Sequence, residues 1–263
     1  MALTARYGSP DAWATWADPA YEALGRAIVA GAAAPLEGRL VVDLGAGTGA
    51  TSRAIAAAGG HPLAVDLSHA MVAHQRHHRP PAVVADIARL PLTDGAAGAT
   101  VAAFSLSHVE EPVAVLTEMA RVTASGGSVL VGVFAAAGAR HEAAAAVDAS
   151  ARRRGWVVPD WYVHLKSDLE PRSSAVDTLL SGATRAGLLD ASVVDVEVDA
   201  GLDTAGALVD WRLAGPAMAP FVAGLGRADA EALRAEAIAS LGQDVAPLRP
   251  AVRILSSVAP AAR

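Results

Sequence analysis

Short apolar runs alternate along the first half of this sequence with segments in which apolar residues recur at helical spacing. The runs are rich in β-branched residues, and each precedes or follows one of the helical segments. They cover residues 40–44, 62–66, 82–86, 99–105 and 128–134. This alternation predicts βαβ units and a parallel sheet.

After Phe134 helical spacing takes over, and helices are predicted near residues 139–154, 174–187, 204–214 and 227–241. Two further strand-like runs, at 192–198 and 252–258, raise the predicted number of strands to seven. We find no internal repeat, and no stretch rich in proline, glycine and serine that is long enough to separate domains. A single α/β domain is therefore predicted.

Local signals predict where several helices begin and end. Ser68 is a favoured N-terminal cap, and Pro112 stands at the head of the segment 110–123, where its missing N–H costs nothing. Gly126 and Gly127 are predicted to mark the end of that helix.

The stretch "RLVVDLGAGTGATS", residues 39–52, places glycine at every second position directly after a predicted strand. A strand that ends at Leu44 and turns into a helix at about Thr48 leaves unpaired N–H groups at the carboxyl edge of the sheet, where open α/β sheets bind cofactors. Gly45, Gly47 and Gly49 let a ligand lie against bare backbone. A tight turn that only closes a βα unit is the simpler alternative.

The glycines alone do not choose the cofactor, because Gly45, Gly47 and Ala50 also satisfy the looser dinucleotide pattern G-x-G-x-x-G/A. Two carboxylates narrow the choice. Asp66 ends the second run, where an acid accepts hydrogen bonds from ribose hydroxyls in either cofactor class. Asp86 ends the third run and offers an acceptor to an adenine amine, a role without a counterpart in NAD binding. A helix N-cap is the alternative for each acid taken singly, but acids at successive strand ends together favour a binding edge.

Composition and charge narrow the class of partner. The 263 residues are 53% apolar, enough for a sizeable core, and 27 acidic against 21 basic residues give a net charge of −6. This charge offers no long-range attraction for nucleic acid or an anionic membrane, so a small-molecule partner is favoured. The absence of cysteine excludes disulfides and thiol catalysis. Charged residues interrupt the first 30 positions, so neither a signal peptide nor a membrane span is predicted, and a cytoplasmic location is expected.

Residues 40–134 resemble the class I S-adenosylmethionine-dependent methyltransferases, and most closely their small-molecule branch. The resemblance rests on five motifs in order, "VVDLGAGTG", "AVDLS", "ADIARLPL", "AAFSLSHVEEP" and "EMARVTASGGSVLVGVF". It implies a Rossmann-like, seven-strand, mostly parallel sheet with helices on both faces and a helical cap over the carboxyl edge. It also implies an N-terminal helical lid at 1–35, a cofactor-binding core at 36–135, and substrate-cap helices with the last two strands at 136–263.

S-adenosylmethionine is the cofactor that the resemblance implies. The implied cofactor-binding residues are Asp43, Gly45, Ala46, Gly47, Gly49, Asp66, Leu67, Asp86, Ile87 and Ser105. The glycines would face the methionine half of the cofactor, with Asp43 near its amino group. Asp66 would hold the ribose, and Asp86 with the backbone of Ile87 would hold the adenine. Ser105 would lie by the amino acid or the transferring methyl.

Methyl transfer needs a base only when the acceptor must lose a proton, because the sulfonium already makes the methyl electrophilic. His108, in "SLSHVEEP" just beyond the fourth predicted strand, is the catalytic candidate, since imidazole exchanges protons near neutral pH. Packing at the mouth of the site, or capping of the next helix, is the equal alternative. Glu110 and Glu111 fit better as charges at a helix N-terminus than as catalytic acids.

All five tryptophans and all three tyrosines lie outside residues 40–134. Because the N-terminal helix and the stretch after the fifth strand flank the carboxyl edge in this superfamily, these rings are placed to cover a hydrophobic or aromatic substrate. The candidate substrate-binding residues are Trp16, Tyr21, Trp161 and Tyr162. Attachment of accessory helices to the sheet is the competing role for each ring. Lys166 and Arg212 are further candidates, for pairing with a substrate carboxylate.

Two clusters of basic residues are given structural roles. His74, His77 and His78 have metal-ligand spacing, but with no cysteine and no nearby acid on that face we predict a solvated helix end and no metal site. The stretch "ARRRGW", residues 151–156, is explained better as a charged helix terminus than as a dock for an anionic carrier group.

The sequence therefore predicts transfer of a methyl group from S-adenosylmethionine to an O, N or C nucleophile of a small, hydrophobic or aromatic molecule, in a setting that suits bacterial secondary metabolism. Two alternatives stay open. One is a methyltransferase-like scaffold that acts as a cyclase or binding protein. The other is an NAD-dependent oxidoreductase, which Asp43 and Asp86 disfavour.

Overall fold

The computed structural model of this chain describes residues 10–135, 141–242 and 244–261. Seven strands form one sheet in the order β3-β2-β1-β4-β5-β7-β6. They are β1 (Leu40–Leu44), β2 (His61–Asp66), β3 (Ala82–Val84), β4 (Ala97–Ala103), β5 (Thr123–Phe134), β6 (Leu189–Glu197) and β7 (Ala251–Val258). The first five pair in parallel, and β7 runs antiparallel between β5 and β6. The predicted seven-strand, mostly parallel sheet is confirmed.

Helices connect the strands and extend beyond them. In the described ranges they are α1 (Pro10–Trp16), α2 (Asp18–Val29), α3 (Ala50–Ala57), α4 (His69–Ala73), α5 (Pro112–Val122), α6 (Glu142–Arg153), α7 (Asp160–His164), α8 (Glu170–Ser174), α9 (Val176–Arg185), α10 (Ala205–Ala214), α11 (Ala219–Gly224) and α12 (Arg227–Leu241). The predicted lid and cap boundaries stay predictions. Residues 1–9, with Tyr7, and 136–140 lie outside the described ranges. Among the described helices, none has the length and apolar character needed to cross a bilayer.

Side chains of β1 alternate between the two faces of the sheet, as the pleat of a strand requires. Val41 packs into a cluster with Ile28 of α2 and Ile55 of α3. Val42, the next residue, packs on the opposite face with Leu116 of α5. Helices therefore cover both faces, and the β1 run is buried from both sides.

Helices α6, α10 and α12, which follow β5 in the chain and are called the cap from this point, form a hydrophobic cluster of their own. Val147, Val209 and Leu233, one from each helix, are fully buried there. Trp156 joins this cluster, and its Nε1 donates to the carbonyl of Ala217 at 3.2 Å. The cap is therefore stabilised by its own packing and is not merely a set of loops on the sheet.

Two of the predicted helix starts are confirmed. The hydroxyl of Ser68 accepts a hydrogen bond from the N–H of Met71 at the start of α4, and α5 begins at Pro112. The glycine turn enters α3 at Ala50, two residues later than expected.

The predicted end of α5 is wrong. The helix stops at Val122, and Gly126 and Gly127 lie inside β5. Thr123 explains the early stop: its backbone is extended, and its hydroxyl donates to the carbonyl of Met119 at 2.7 Å, which satisfies one group of the last helical turn. The chain thus passes from helix to strand without a glycine.

Helix α7, one π-helical turn (Leu165–Leu169) and α8 follow one another without a break between residues 160 and 174. The sequence analysis did not predict this helical segment. A π-helical turn holds more residues than an α-helical turn, so apolar positions on its two sides do not keep the 3.6-residue period. Pro171, tolerated in the first turn of α8, further obscures the pattern.

Helix α2 docks on the sheet where β5 has no side chain. A Cβ atom on Gly132 would lie 2.1 Å from Cδ1 and 2.6 Å from Cγ1 of Ile28, which is fully buried. The glycine therefore provides the space into which the isoleucine packs.

We expect Gly132→Ala to lower the free energy of unfolding by about 1–3 kcal/mol, the usual cost of overpacking a core. Adding Ile28→Ala should make the combined loss smaller than the sum of the two single losses, because the residues share one contact. Urea denaturation measures all three variants. Gly224→Ala, where the new methyl meets no atom within 4 Å, is the control. Additive losses would contradict this account of the docking.

Candidate functional site

The glycine turn has the left-handed backbone that its sequence pattern indicates. The φ angles of Gly45, Gly47 and Gly49 are +73°, +53° and +97°, values that L side chains rarely adopt. A Cβ on Gly45 would lie 2.3 Å from the Cβ of Ser105, whereas the same position on Gly47 has no atom within 4 Å. The turn is thus packed closely at its start and open at its centre. Ala46 is buried, and its N–H donates to the carbonyl of Val65.

Asp43 is a buried carboxylate directly before this turn. Its Oδ2 accepts a hydrogen bond of 2.6 Å from the hydroxyl of Ser52 in α3, and its Oδ1 has no hydrogen-bond partner among the described residues. Burial raises the pKa of Asp43 to about 6; the Ser52 hydrogen bond opposes this shift, and the charge of Asp66 adds to it. A buried acceptor with no donor is a site for a hydrogen-bonding ligand.

Asp66 ends β2, as predicted, and connects β2 to the glycine turn. Its Oδ2 accepts from the N–H of Gly47, and its Oδ1 accepts from the N–H of Ser68, each at 2.8 Å. Burial raises the pKa of Asp66, and these two backbone hydrogen bonds oppose the shift. Because each carboxylate oxygen accepts more than one hydrogen bond, Asp66 keeps the capacity to bind hydroxyl groups.

The residues predicted to surround an adenine lie on two neighbouring loops. β3 ends at Val84, so the prediction that Asp86 ends this strand is wrong by two residues. Its carboxylate accepts from the N–H of Ala88 at 2.9 Å and fixes the loop that follows the strand. Ile87 is buried there, while Leu67, after β2, is 45% exposed.

Ser105 also lies two residues beyond its strand, because β4 ends at Ala103. Its hydroxyl donates to the carbonyl of Leu44 at 2.7 Å and so joins the ends of β1 and β4. Phe104, between strand and serine, has φ +60°, an uncommon value for a bulky residue. Strain of this kind is concentrated at functional sites.

A small cavity of about 90 Å³ lies beside the end of β4. His108 lines it, together with Tyr21 of α2 and Tyr162 of α7, so three of the predicted catalytic and substrate residues meet there. Trp161 packs edge-on against Tyr162 with ring centroids 5.6 Å apart, but it does not line the cavity. Trp16 is 45% exposed and is also absent from the lining.

Trp13 and Glu170 line the cavity although the sequence analysis did not select them, and Lys166, a candidate partner for a substrate carboxylate, lines it as well. Trp13 of α1 lines it, although nothing in the sequence distinguishes this tryptophan from the others. Lys166 and Glu170 line it as an ion pair of 2.6 Å, and the ammonium lies 5.5 Å from the ring of Tyr162. The spacing of four residues between lysine and glutamate is the one available sequence signal for this pair.

Asp18 at the start of α2 is a second residue that the sequence analysis missed. Its buried carboxylate accepts from the hydroxyl of Thr48 in the glycine turn at 2.5 Å and from Arg53 of α3 at 2.8 Å. Helix α2 is thereby fixed over the turn, and it carries Tyr21 into the cavity.

The basic clusters have partners inside the protein. His74 lies 3.3 Å from the carboxylate of Asp11 and its side chain is only 10% exposed, so the predicted solvated helix end is wrong for this histidine. This acid belongs to α1, which is distant from His74 in the sequence, so the residues around the histidine gave no sign of it. No group of three metal-binding side chains occurs in the described ranges.

The arginines that were candidates for binding anionic ligands also form ion pairs within the protein. Arg153 and Arg154 both bind Glu236, in line with the predicted structural role. Arg212 forms a buried ion pair of 2.6 Å with Asp148, so it is held within the cap and does not line the cavity.

Comparison with known proteins agrees with the motifs. Residues 42–131 match the family described as "Methyltransferase domain". Demethylmenaquinone methyltransferase of Beutenbergia cavernae is 41% identical over 99 residues, which cover 37% of this chain and 41% of that protein. Demethylmenaquinone methyltransferase of Clavibacter sepedonicus is 38% identical over 108 residues, which cover 39% of this chain and 44% of that protein. The matches therefore span less than half the length of these relatives.

Solved structures share the fold at low sequence identity. A phosphoethanolamine N-methyltransferase 2 of Haemonchus contortus, solved with phosphomonomethylethanolamine and S-adenosylhomocysteine, has a TM-score of 0.56 and 15% identity over 90% of this chain and 52% of that one. The [4+2]-cyclase SpnF has a TM-score of 0.54 and 19% identity over 92% of this chain and 81% of that one. Both resemblances concern the fold alone.

The matched residues begin in β1 and end in β5, so they contain the glycine turn and the strands whose ends form the candidate site. The family match and the strand order of the sheet support one assignment. They identify residues 42–131 of this chain as a methyltransferase domain, as the sequence motifs predict.

Proposed function

We propose that this protein transfers a methyl group from S-adenosylmethionine to an O, N or C nucleophile of a small, hydrophobic or aromatic molecule. The observation that carries the proposal is the juxtaposition of two sites at one sheet edge. The glycine turn with Asp43 and Asp66 lies beside an aromatic cavity that contains His108. The cytoplasmic location and the role in secondary metabolism stay predictions of the sequence.

The residues at the edge fit the cofactor. The buried, unpartnered Oδ1 of Asp43 is an acceptor for the cofactor's amino group, and the open centre of the turn at Gly47 leaves room against the backbone. Asp66 would hold the ribose hydroxyls. Asp86, with the backbone of Ile87, would hold the adenine beside the exposed side chain of Leu67. Bound there, S-adenosylmethionine supplies an electrophilic methyl group.

The cavity supports an aromatic acceptor. Tyr21, Tyr162 and Trp13 line it with rings that would stack on such an acceptor. His108, in the same lining, would take a proton from an acidic hydroxyl of the acceptor. The curated relatives are named for a quinone substrate. Phenols and hydroquinones are therefore the first acceptor class to test.

Titration of the protein with S-adenosylhomocysteine, with NADH in parallel, tests the cofactor. We expect binding of the first alone. Asp66→Ala should weaken this binding about 10- to 150-fold, since hydrogen bonds to a charged group contribute about 1.5–3 kcal/mol. Asp203→Ala removes an exposed acid in the loop before α10 and is the matched control. Unchanged affinity in a folded Asp66→Ala protein would show that the ribose site is misplaced.

Replacing Asp43 should have opposite effects on the stability of the protein and on ligand binding. The pKa of Asp43 in the folded protein is about 6, above the ordinary value of about 3.8, because burial favours the protonated carboxyl group. Its contribution to stability is therefore fully present below pH 3.8 and is lost as the pH rises through 6 and the buried group ionises. Asp43→Asn should therefore stabilise the ligand-free protein at pH 7.5 by up to about 3 kcal/mol, and hardly at all at pH 4. The same change should weaken S-adenosylhomocysteine binding.

Urea denaturation at both pH values, with titration calorimetry at pH 7.5, measures these effects. In the wild type, affinity should fall as the pH drops through 6, because a protonated Asp43 has lost the negative charge that attracts the amino group and is a weaker acceptor. A variant that is less stable at pH 7.5 would contradict the assignment.

His108→Ala should lower the rate of methyl transfer to phenolic acceptors about 10²- to 10⁴-fold, the usual contribution of a positioned base. S-adenosylhomocysteine affinity should stay at the wild-type value. Transfer of labelled methyl, followed by product extraction, measures the rate, and His77→Ala, an exposed histidine after α4, is the control. Loss of cofactor affinity in His108→Ala would rule out its role as a base.

A further inference from the structure

Arg79 reaches the glycine turn from the segment that follows α4. This helix ends at Ala73, and Gln75 has a φ of +47°, so the chain turns soon after the helix. The Nη1 of Arg79 then donates to the carbonyl oxygens of Met71 at 2.6 Å and Gly47 at 3.1 Å. The guanidinium is thus fixed by backbone carbonyls on one side.

The other edge of the guanidinium has no partner. Nε and Nη2 of Arg79 are buried and make no hydrogen bond with any described residue. Nη2 lies 3.8 Å from the position that a Cβ would take on Gly49. Burial lowers the pKa of Arg79, while the charges of Asp43 and Asp66 oppose the shift. Buried donors of this kind are costly unless a ligand satisfies them.

The Nε and Nη2 atoms of an arginine form the planar fork that binds a carboxylate through two parallel hydrogen bonds. The unpartnered acceptor Oδ1 of Asp43 belongs to the same cluster of interacting charges. An amino-acid zwitterion has the complementary groups, because its ammonium donates to an acceptor and its carboxylate accepts from a fork.

We propose that Arg79 binds the α-carboxylate of the methionine half of S-adenosylmethionine through Nε and Nη2, opposite the amino group held by Asp43. This inference rests on the proposed function and adds a specificity determinant to it. Arg79 distinguishes cofactors that carry the carboxylate from those that lack it. No sequence motif indicates this role, since Arg79 lies in the connection before β3.

The charges around the turn suit this ligand. Two guanidinium groups near the turn, those of Arg53 and Arg79, interact with four carboxylates, which leaves an excess of negative charge when all four acids are ionised. The acids are Asp18, Glu22, Asp43 and Asp66. S-adenosylmethionine carries two positive groups and one carboxylate, so its net charge is complementary. The carboxylate of the ligand needs a cationic partner, and Nε and Nη2 of Arg79 have no partner among the residues that the structure describes.

The test compares S-adenosylmethionine with decarboxylated S-adenosylmethionine, which keeps the sulfonium and the amino group. Titration calorimetry of the full chain should show that the wild type prefers the carboxylated form by about 10- to 150-fold. Arg79→Gln should lose that preference by weakening binding of the carboxylated form alone. Arg79→Lys, which keeps the charge without the fork, should retain part of it. Arg76→Gln, an exposed neighbour on the same segment, should behave as the wild type.

Several outcomes would overturn the proposal. Equal weakening of both ligands in Arg79→Gln would mean a structural role, and tighter binding of both would mean that Arg79 blocks the site. If Arg79→Gln does not fold, an Arg79→Lys protein with the full wild-type preference is the contradicting result. Binding of neither ligand by the wild type would instead defeat the proposed function, and the inference with it.

Discussion

The left-handed backbone of Gly45, Gly47 and Gly49 is the constraint on which the rest of the site depends. Only glycine adopts such a backbone without strain. At Gly45 the missing side chain also lets Ser105 pack against the turn and bind the carbonyl of Leu44. The ends of β1 and β4 are joined in this way, and the cofactor edge and the aromatic cavity become neighbours.

Charged groups around the turn fix the other elements in place. Asp66 holds the turn to β2 through two backbone N–H groups, and Asp18 holds α2 over it through Thr48 and Arg53. The atoms left without a partner among the described residues, Oδ1 of Asp43 and Nε and Nη2 of Arg79, are those that the proposed zwitterionic ligand would satisfy. The cluster of charges that holds these elements together thus includes the groups proposed to recognise the ligand.

The cap helices are packed on one another independently of the sheet. The packed cluster of the cap and the buried Asp148–Arg212 pair hold it together as a unit, while the helical segment 160–174 packs against β5 and α9. The π-helical turn in that segment lies between Tyr162 and Glu170, and the cavity is lined on both sides of it. Because π-helical turns occur often at functional sites, its position at the cavity agrees with the proposed binding of the acceptor there.

The sequence by itself determined the alternation of strands and helices, the seven-strand sheet, the glycine turn and the acids Asp43 and Asp66. These features depend on local backbone preference and on periodic burial, and both are determined by residues that lie close together in the sequence. Only the tertiary structure decided that Asp18 and Arg79 form hydrogen bonds with the glycine turn. It also decided that Lys166 pairs with Glu170 at the cavity and that Trp16 does not line the cavity. The partner of a long polar or aromatic side chain depends on which distant element packs beside it, and that is set by the folded chain as a whole.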